Sequence, residues 1–287
     1  MRVPVKSYLF PVAAAALSLS SFAVAQAVVA IPGTEIAGWG KVAEVQGWFG
    51  RPSGTAPKAP AVLILHGSNG VDGRGAFYAR VLEEAGIATL QITMFQRGGR
   101  PRTHAASMPY AAAGLKWLAA QPGVDAERLG VMGFSWGGVM TVLMSSELVQ
   151  EKLGAGAPRP VAFAPFYPVC TIMTRFLKSS ENPFYDAHTR MSAAPMLIHM
   201  GTRDDYELGE RPCDPLVAMW PEAARSGTTV RYVANATHAF DSPTARQFYE
   251  AGAQAGRGAT IIVTPSPKDA AEARQEIVKF FVSHLKP

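Results

Sequence analysis

A serine flanked at two residues on either side by glycine is the strongest chemical signal in this chain. In Leu129-Gly130-Val131-Met132-Gly133-Phe134-Ser135-Trp136-Gly137-Gly138 an apolar run of strand length ends in Gly-x-Ser-x-Gly. A helix-forming segment from Val139 through Leu148 follows. To project from such a turn, the serine backbone must be strained, and side chains two residues away on either side would collide; Gly133 and Gly137 remove them. The helix start would also aim N-H groups and the positive end of its dipole at a developing oxyanion. The chemistry is that of a nucleophilic serine, against the plainer reading of a tight strand-to-helix turn.

A serine hydroxyl is a weak nucleophile, so it needs a histidine base, itself held by a carboxylate. His238 follows a strand expected over Thr229–Ala234 and comes after every plausible acid, giving the order serine, acid, histidine. The other histidines fit less well. His66 precedes the elbow, His104 ends an Arg-rich loop, His199 lies inside a strand, His188 sits in an irregular stretch and His284 in the terminal helix. Asp204 and Asp205 follow the strand Met196–Met200, and adjacency lets only one of them face the histidine. Asp204 is favoured, Asp205 is the rival, Asp186 is a weaker option, and Asp241 is too close in sequence to His238. An oxyanion hole needs two convergent N-H groups; those expected are the backbone groups of Trp136 and Ser68, with Asn69 as the alternative to Ser68. Arg97 and Arg100 could meet an anionic substrate or stay solvated, and Trp136, Phe166 and Tyr167 could line an acyl pocket or pack in the core.

These residues need a scaffold that gathers strand ends. Ala61–Leu65 is apolar throughout, as a central parallel strand is. It leads through His66-Gly67-Ser68-Asn69-Gly70 to a helix expected over Ala76–Ala85. A strand over Ile87–Thr93 and a helix over Ala105–Ala120 come next, then the elbow, then a strand over Pro160–Pro165. Phe166–Ala194 reads as irregular, Cys213–Arg225 and Ala270–Leu285 as helices, and Val28–Pro60 as an edge hairpin with a strand over Val42–Phe49. Alternation of this kind implies an α/β fold: a mostly parallel central sheet with helices on both faces and functional groups at the strands' carboxyl ends.

Composition fits one well-filled domain: 287 residues, 48% hydrophobic and 17% charged. Arg2 and Lys6 precede an apolar stretch from Tyr8 to Val24 and then Ala25-Gln26-Ala27, the pattern of a secretory signal over residues 1–27, with cleavage after Ala27 or Ala25. Residues 28–287 would form the mature domain, with no stable membrane insertion once the signal is removed. Losing that segment takes two basic residues and no acids, which lowers the formal charge of +5 to +3. So small a charge, without a basic run or aromatic platform, argues against a nucleic-acid partner. Cys170 and Cys213 suit an oxidising periplasmic or extracellular compartment, as one disulfide if the fold brings them together. No metal-ligand spacing, GxGxxG or Walker loop is present, so no cofactor or metal is implied.

From about Val42 onward the chain resembles the dienelactone hydrolase family of α/β-hydrolases. The likeness rests on Leu65-His66-Gly67-Ser68, Gly133-Phe134-Ser135-Trp136-Gly137-Gly138, Gly201-Thr202-Arg203-Asp204-Asp205-Tyr206 and Thr237-His238-Ala239-Phe240. The resemblance implies Asp204 as acid and His238 as base. It also matches exported relatives with a cysteine after Tyr167-Pro168 and another after the acid, here Cys170 and Cys213. Two features depart from the family: Ser135 stands where its cysteine nucleophile would, and His66 or its neighbour where it has a glutamate. The expectation is a serine esterase or lactonase acting on a small molecule through an acyl-enzyme. A prolyl-oligopeptidase-like peptidase and a non-catalytic binding protein of the same fold are the competing readings.

Overall fold

The computed structural model describes residues 26–52, 57–96, 98–154 and 156–286. The expected signal through Ala25, and Arg97, lie outside the described residues. Chain order begins with the strands β1 (Ala27–Pro32), β2 (Glu35–Ile36), β3 (Gly40–Lys41), β4 (Glu44–Gly50) and β5 (Ala59–Leu65). Helix α1 (Arg74–Glu84), β6 (Ala88–Ile92), α2 (Met108–Ala119), β7 (Val124–Phe134), α3 (Trp136–Met144) and α4 (Glu147–Leu153) follow. After β8 (Ala162–Phe166) come α5 (Cys170–Phe176), β9 (Met196–Gly201), α6 (Cys213–Val217), α7 (Glu222–Ser226) and β10 (Thr228–Val233). The chain ends with β11 (Arg246–Glu250), α8 (Ala253–Gly256), β12 (Ala259–Val263) and α9 (Pro267–Leu285).

Eight strands form one sheet in the order β1-β4-β6-β5-β7-β8-β9-β10. β1, β4 and β6 pair antiparallel, and all pairings from β6 to β10 are parallel. Every residue of β5 is buried, as its unbroken apolar run requires for a strand covered on both faces. The chain leaves β5 to one side, through α1 to β6, and returns to β7 on the other side. This reversal makes the carboxyl ends of β5 and β7 a switch point, where a ligand crevice opens.

The structure redraws several boundaries. β7 begins at Val124, before the apolar run, because Val124 pairs with Ala59 across a shift in register while Ala126 and Glu127 stay exposed. The expected single helix after the elbow is two. At the break Ser145 Oγ donates to the Val142 carbonyl at 2.8 Å and Ser146 Oγ to the Ala187 carbonyl at 2.7 Å, side-chain bonds that compete with a continuous helix. The segment Cys213–Arg225 is likewise split, with Pro221 leading into α7 in an extended conformation. Phe166–Ala194, expected to be irregular, holds α5. The antiparallel pair β11 and β12 was not expected; β11 is largely polar with no buried residue, and the apolar run of β12 is only Ile261–Val263, with Ile261 and Val263 buried.

Gln26 and Ala27 are part of this architecture: Gln26 Nε2 donates to Glu83 Oε1 at 2.8 Å, and Ala27 pairs opposite Phe49. Cleavage after Ala25 leaves β1 whole, whereas cleavage after Ala27 removes its first residue. Among the described residues no helix is long and apolar enough to cross a membrane. Cys170 and Cys213 form a disulfide that joins the first residues of α5 and α6 across 43 residues of sequence. Closing a loop of that length restricts the unfolded chain, so its reduction should lower stability by about 2–4 kcal/mol. The measurement is denaturant unfolding with and without reductant; the reductant effect should vanish in a C170S/C213S variant.

Candidate active site

Ser135 occupies the single residue between β7 and α3, with φ 51° and ψ −107°, a backbone conformation that side-chain-bearing residues rarely adopt. Two neighbouring strand ends hold it there. Its N-H donates to the Phe166 carbonyl at 2.9 Å, and that of Gly137 to the His66 carbonyl at 3.1 Å. A Cβ on Gly133 would lie 2.3 Å from the Gly137 carbonyl oxygen, and one on Gly137 would lie 2.3 Å from that of Leu65. Both contacts are with backbone, which cannot swing aside as a side chain can.

The strained turn points Ser135 Oγ at His238. Oγ lies 2.9 Å from Nε2, and Nδ1 of the same ring lies 2.7 Å from Asp204 Oδ2. With Nδ1–H donated to the carboxylate, Nε2 is left to accept the serine proton. Ser135, Asp204 and His238 are 7, 6 and 4% exposed, so the chain of bonds is sheltered from water. Gly201 allows the acid loop to approach the base loop, since a Cβ there would meet the Ala236 carbonyl oxygen at 2.3 Å; the Arg203 N-H also donates to that carbonyl. Asp204 Oδ1 accepts the Tyr206 N-H at 3.0 Å, whereas Asp205 turns away and accepts the N-H of Ile262 on β12 at 2.9 Å. Tyr167 and Tyr206 pack around the imidazole, with ring centroids 4.9 and 4.4 Å away.

The other groups singled out in the sequence have separate partners. His66 Nε2 accepts the Met94 N-H at 2.9 Å, and burial pushes the imidazole down to about 4, so it is neutral and braces the loop after β6. His104 stacks on the Trp136 indole at 3.7 Å, and burial lowers its pKa to about 3. His199 meets Glu276 at 2.8 Å and stacks on Phe166, which is buried in the core. Burial lowers the His188 pKa, and His284 packs on Phe280. Arg100 reaches over Trp136 and pairs with Glu250 at 3.3 Å. Trp136 opens α3, where a first-turn N-H has no carbonyl partner within the helix. Ser68 and Asn69 form the tip of a turn closed from the Gly70 N-H to the Gly67 carbonyl at 3.1 Å, and both border the small space beside Ser135.

Sequence reasoning missed a buried polar network under the site. Arg74, 2% exposed, donates to Asp72 Oδ2 at 2.7 Å and to the Tyr167 hydroxyl at 2.7 Å. That hydroxyl donates in turn to Asp241 Oδ1 at 2.5 Å, and the Tyr78 hydroxyl donates to Asp241 Oδ2 at 2.9 Å. Burial, with the negative charge of Asp241 adding to it, holds both phenols well above their usual range, so both remain donors. Asp241, three residues beyond His238, therefore anchors the base loop from below. Its closeness in sequence to His238 argues against Asp241 as the acid and gives no hint of the distant phenols that it binds. Among the described residues no three His, Cys, Asp or Glu side chains converge on a common point.

Comparison with known proteins adds a family and a set of related folds. Residues 45–284 match the model of the dienelactone hydrolase family. No curated protein sequence matches the chain. Among solved structures, Est1E from Butyrivibrio proteoclasticus is similar with a TM-score of 0.61 and 14% identity, over 91% of this chain and 99% of its own. Thermogutta terrifontis esterase 2 phosphorylated by paraoxon gives 0.60 and 17%, over 88% and 95%. The dienelactone hydrolase from Anabaena variabilis gives 0.57 and 17%, over 91% and 98%. At these identities the likeness is one of fold.

Glu207, behind the acid, provides a test of the local electrostatics. Burial, together with the negative charge of Asp204, pushes its carboxyl from 4.5 up to about 7, while Oε2 accepts the Thr171 N-H at 2.8 Å. The folded protein thus holds this proton more tightly than the unfolded chain does. Stability from this group is full below about 4.5 and is lost as pH rises towards 7. Glu207→Gln keeps the acceptor without the charge, so it should flatten that part of the pH–stability curve. At pH 8 it should raise stability by an amount on the order of 2 kcal/mol, read from thermal or denaturant unfolding.

Proposed function

The chain belongs to the dienelactone hydrolase family, and from that premise we propose that it is a serine hydrolase cleaving carboxylic esters or lactones through Ser135, His238 and Asp204. The observation that carries the proposal is the continuous line from Ser135 Oγ through the imidazole to Asp204, with bonds of 2.9 and 2.7 Å. His238 Nε2 takes the hydroxyl proton as Oγ bonds to the carbonyl carbon. The backbone N-H groups of Trp136 and Ser68 receive the oxyanion. His238 then gives the proton to the departing alkoxide as the C–O bond breaks, leaving an acyl-serine. A water that loses its proton to the same nitrogen releases the acid and restores the enzyme. Asp204 keeps the imidazole in the required tautomer and offsets its positive charge while it is protonated.

The departures from the family pattern are mutually consistent. A serine needs its base beside it throughout, and His238 is within hydrogen-bond distance. His66, which itself or through its neighbour stands where the family's glutamate is expected, is neutral and occupied by the Met94 N-H, which leaves the serine's proton to His238. An exported location belongs to the same proposal, since an oxidising compartment would keep Cys170 and Cys213 paired.

One pocket that touches Ser135 holds about 10 Å³, room for roughly one water. A short acyl group is therefore favoured. Among p-nitrophenyl esters, acetate should be turned over with kcat/KM at least about tenfold above octanoate. Ser135→Ala should lower kcat for the acetate by about 10⁴-fold or more with the fold intact by circular dichroism. The fold relative from Thermogutta terrifontis is phosphorylated by paraoxon. On this chain a fluorophosphonate should add its mass to Ser135 in the parent protein and not to Ser135→Ala, as read by mass spectrometry of peptides. Unchanged ester turnover in the alanine variant would overturn the proposal.

A further inference from the structure

Next to the small space at Ser135 lies a much larger one. On β4, Gln46 and Trp48 alternate with the buried Val45 and Phe49 and so face the opposite side of the sheet. Helix α1 covers that side only from Arg74 onward, where Gly75 lets it rest on Gln91; a Cβ on Gly75 would lie 2.6 Å from the Gln91 amide carbon. The corner of the sheet ahead of the helix is left uncovered. The turn carrying Asn69, the residues after β6 and the segment entering β11 wall it into a cleft of about 650 Å³, the size of a small-molecule site. Asn69 and Arg246 border both this cleft and the space at Ser135, so the two adjoin. With the small space assigned to a short acyl group, the cleft is where the alcohol part of an ester has space to lie.

The lining specifies what kind of alcohol. Its charges oppose one another: Asp72 pairs with Arg74 at 2.7 Å and lies 3.7 Å from Arg246, whose buried Nε has no hydrogen-bond partner among the described residues. That N-H is one more donor for a ligand oxygen. The remaining polar side chains are the amides of Gln46, Asn69 and Gln96 and the hydroxyls of Thr93 and Thr244. Each of these can both donate and accept, the pattern that a row of alcohol hydroxyls complements. An alkyl or aryl group would strip water from these amides without replacing it. Trp48, half-buried, adds a flat apolar surface suited to the C–H face of a ring.

We propose that this cleft is an alcohol-side subsite for a polyhydroxylated ring, which makes the substrate a sugar carrying a short O-acyl group. The proposal rests on the hydrolase reading of Ser135. The subsite holds the sugar through Trp48 and the neighbouring amides, and the acylated hydroxyl reaches Ser135 past Asn69 and Arg246. The bond that breaks is the one between the acyl carbon and the sugar oxygen, which leaves with a proton from His238.

The test compares glucose 6-acetate with ethyl acetate, two esters of the same acid. The unaltered enzyme should favour the sugar ester in kcat/KM by about tenfold or more, carried by KM. Gln46→Leu and Trp48→Ala should each remove most of that preference; Gln46 is exposed, so its variant should fold even if the tryptophan change disturbs β4. Equal kcat/KM for the two esters, or a preference that survives both substitutions, overturns the subsite. If neither acetate is hydrolysed, the hydrolase reading fails separately, and binding decides the cleft. Glucose 6-acetate titrated into the Ser135→Ala protein should give a saturable change in tryptophan fluorescence that is lost when Trp48 is also replaced; no change overturns the proposal.

Discussion

The site depends on one awkward residue of backbone. Ser135 is held at φ 51° by hydrogen bonds that bind it and Gly137 to the ends of β8 and β5. Isolated, that conformation would cost about 1–3 kcal/mol and would not persist. It persists here because three adjacent parallel strands end together and their last carbonyls have no better donors than the elbow's own N-H groups. The strain and the sheet are therefore a single arrangement. The same close approach of backbones that forces glycine at 133 and 137 also turns the serine hydroxyl out of the sheet towards His238.

The base is held with comparable care by groups that never touch the serine. The loop after β10 carries His238 on its upper side and Asp241 below, and Asp241 accepts both buried phenols, those of Tyr78 and Tyr167. Tyr167 also packs edge-on against the His238 ring, while Arg74 supplies the positive charge that makes a buried carboxylate tolerable. Removing any one member would leave a buried polar group without a partner. The network thus links α1, β8 and the base loop, which are distant in sequence, at the base of the pocket.

What could be read from the sequence was what local pattern determines. The all-apolar β5, the glycines around Ser135 and the acid and histidine after successive strands are short-range signals, and the structure brings Ser135, Asp204 and His238 together in one line. What could not be read depended on partners far along the chain. Arg74 and Asp241 look like surface residues until the fold places them beside Tyr167, 93 and 74 residues away from it. The polar start of β7 becomes a strand only because Ala59 is there to pair with Val124. The breaks after α3 and α6 were visible in principle, as a pair of serines and a proline, but apolar content masked them. The hairpin of β11 and β12 rests against the acid loop through the Asp205 carboxylate, a tertiary contact that two five-residue strands do not announce.

The Cys170–Cys213 bond has a topological effect on this arrangement. It closes a covalent ring that contains β9, Asp204 and Glu207, while Ser135 and His238 lie outside it. A single protease cut in the excursion around Glu181 would open that ring without releasing a fragment, and the acid would stay joined to the main body through Cys213. In an environment rich in proteases, a nicked molecule could therefore remain a whole one.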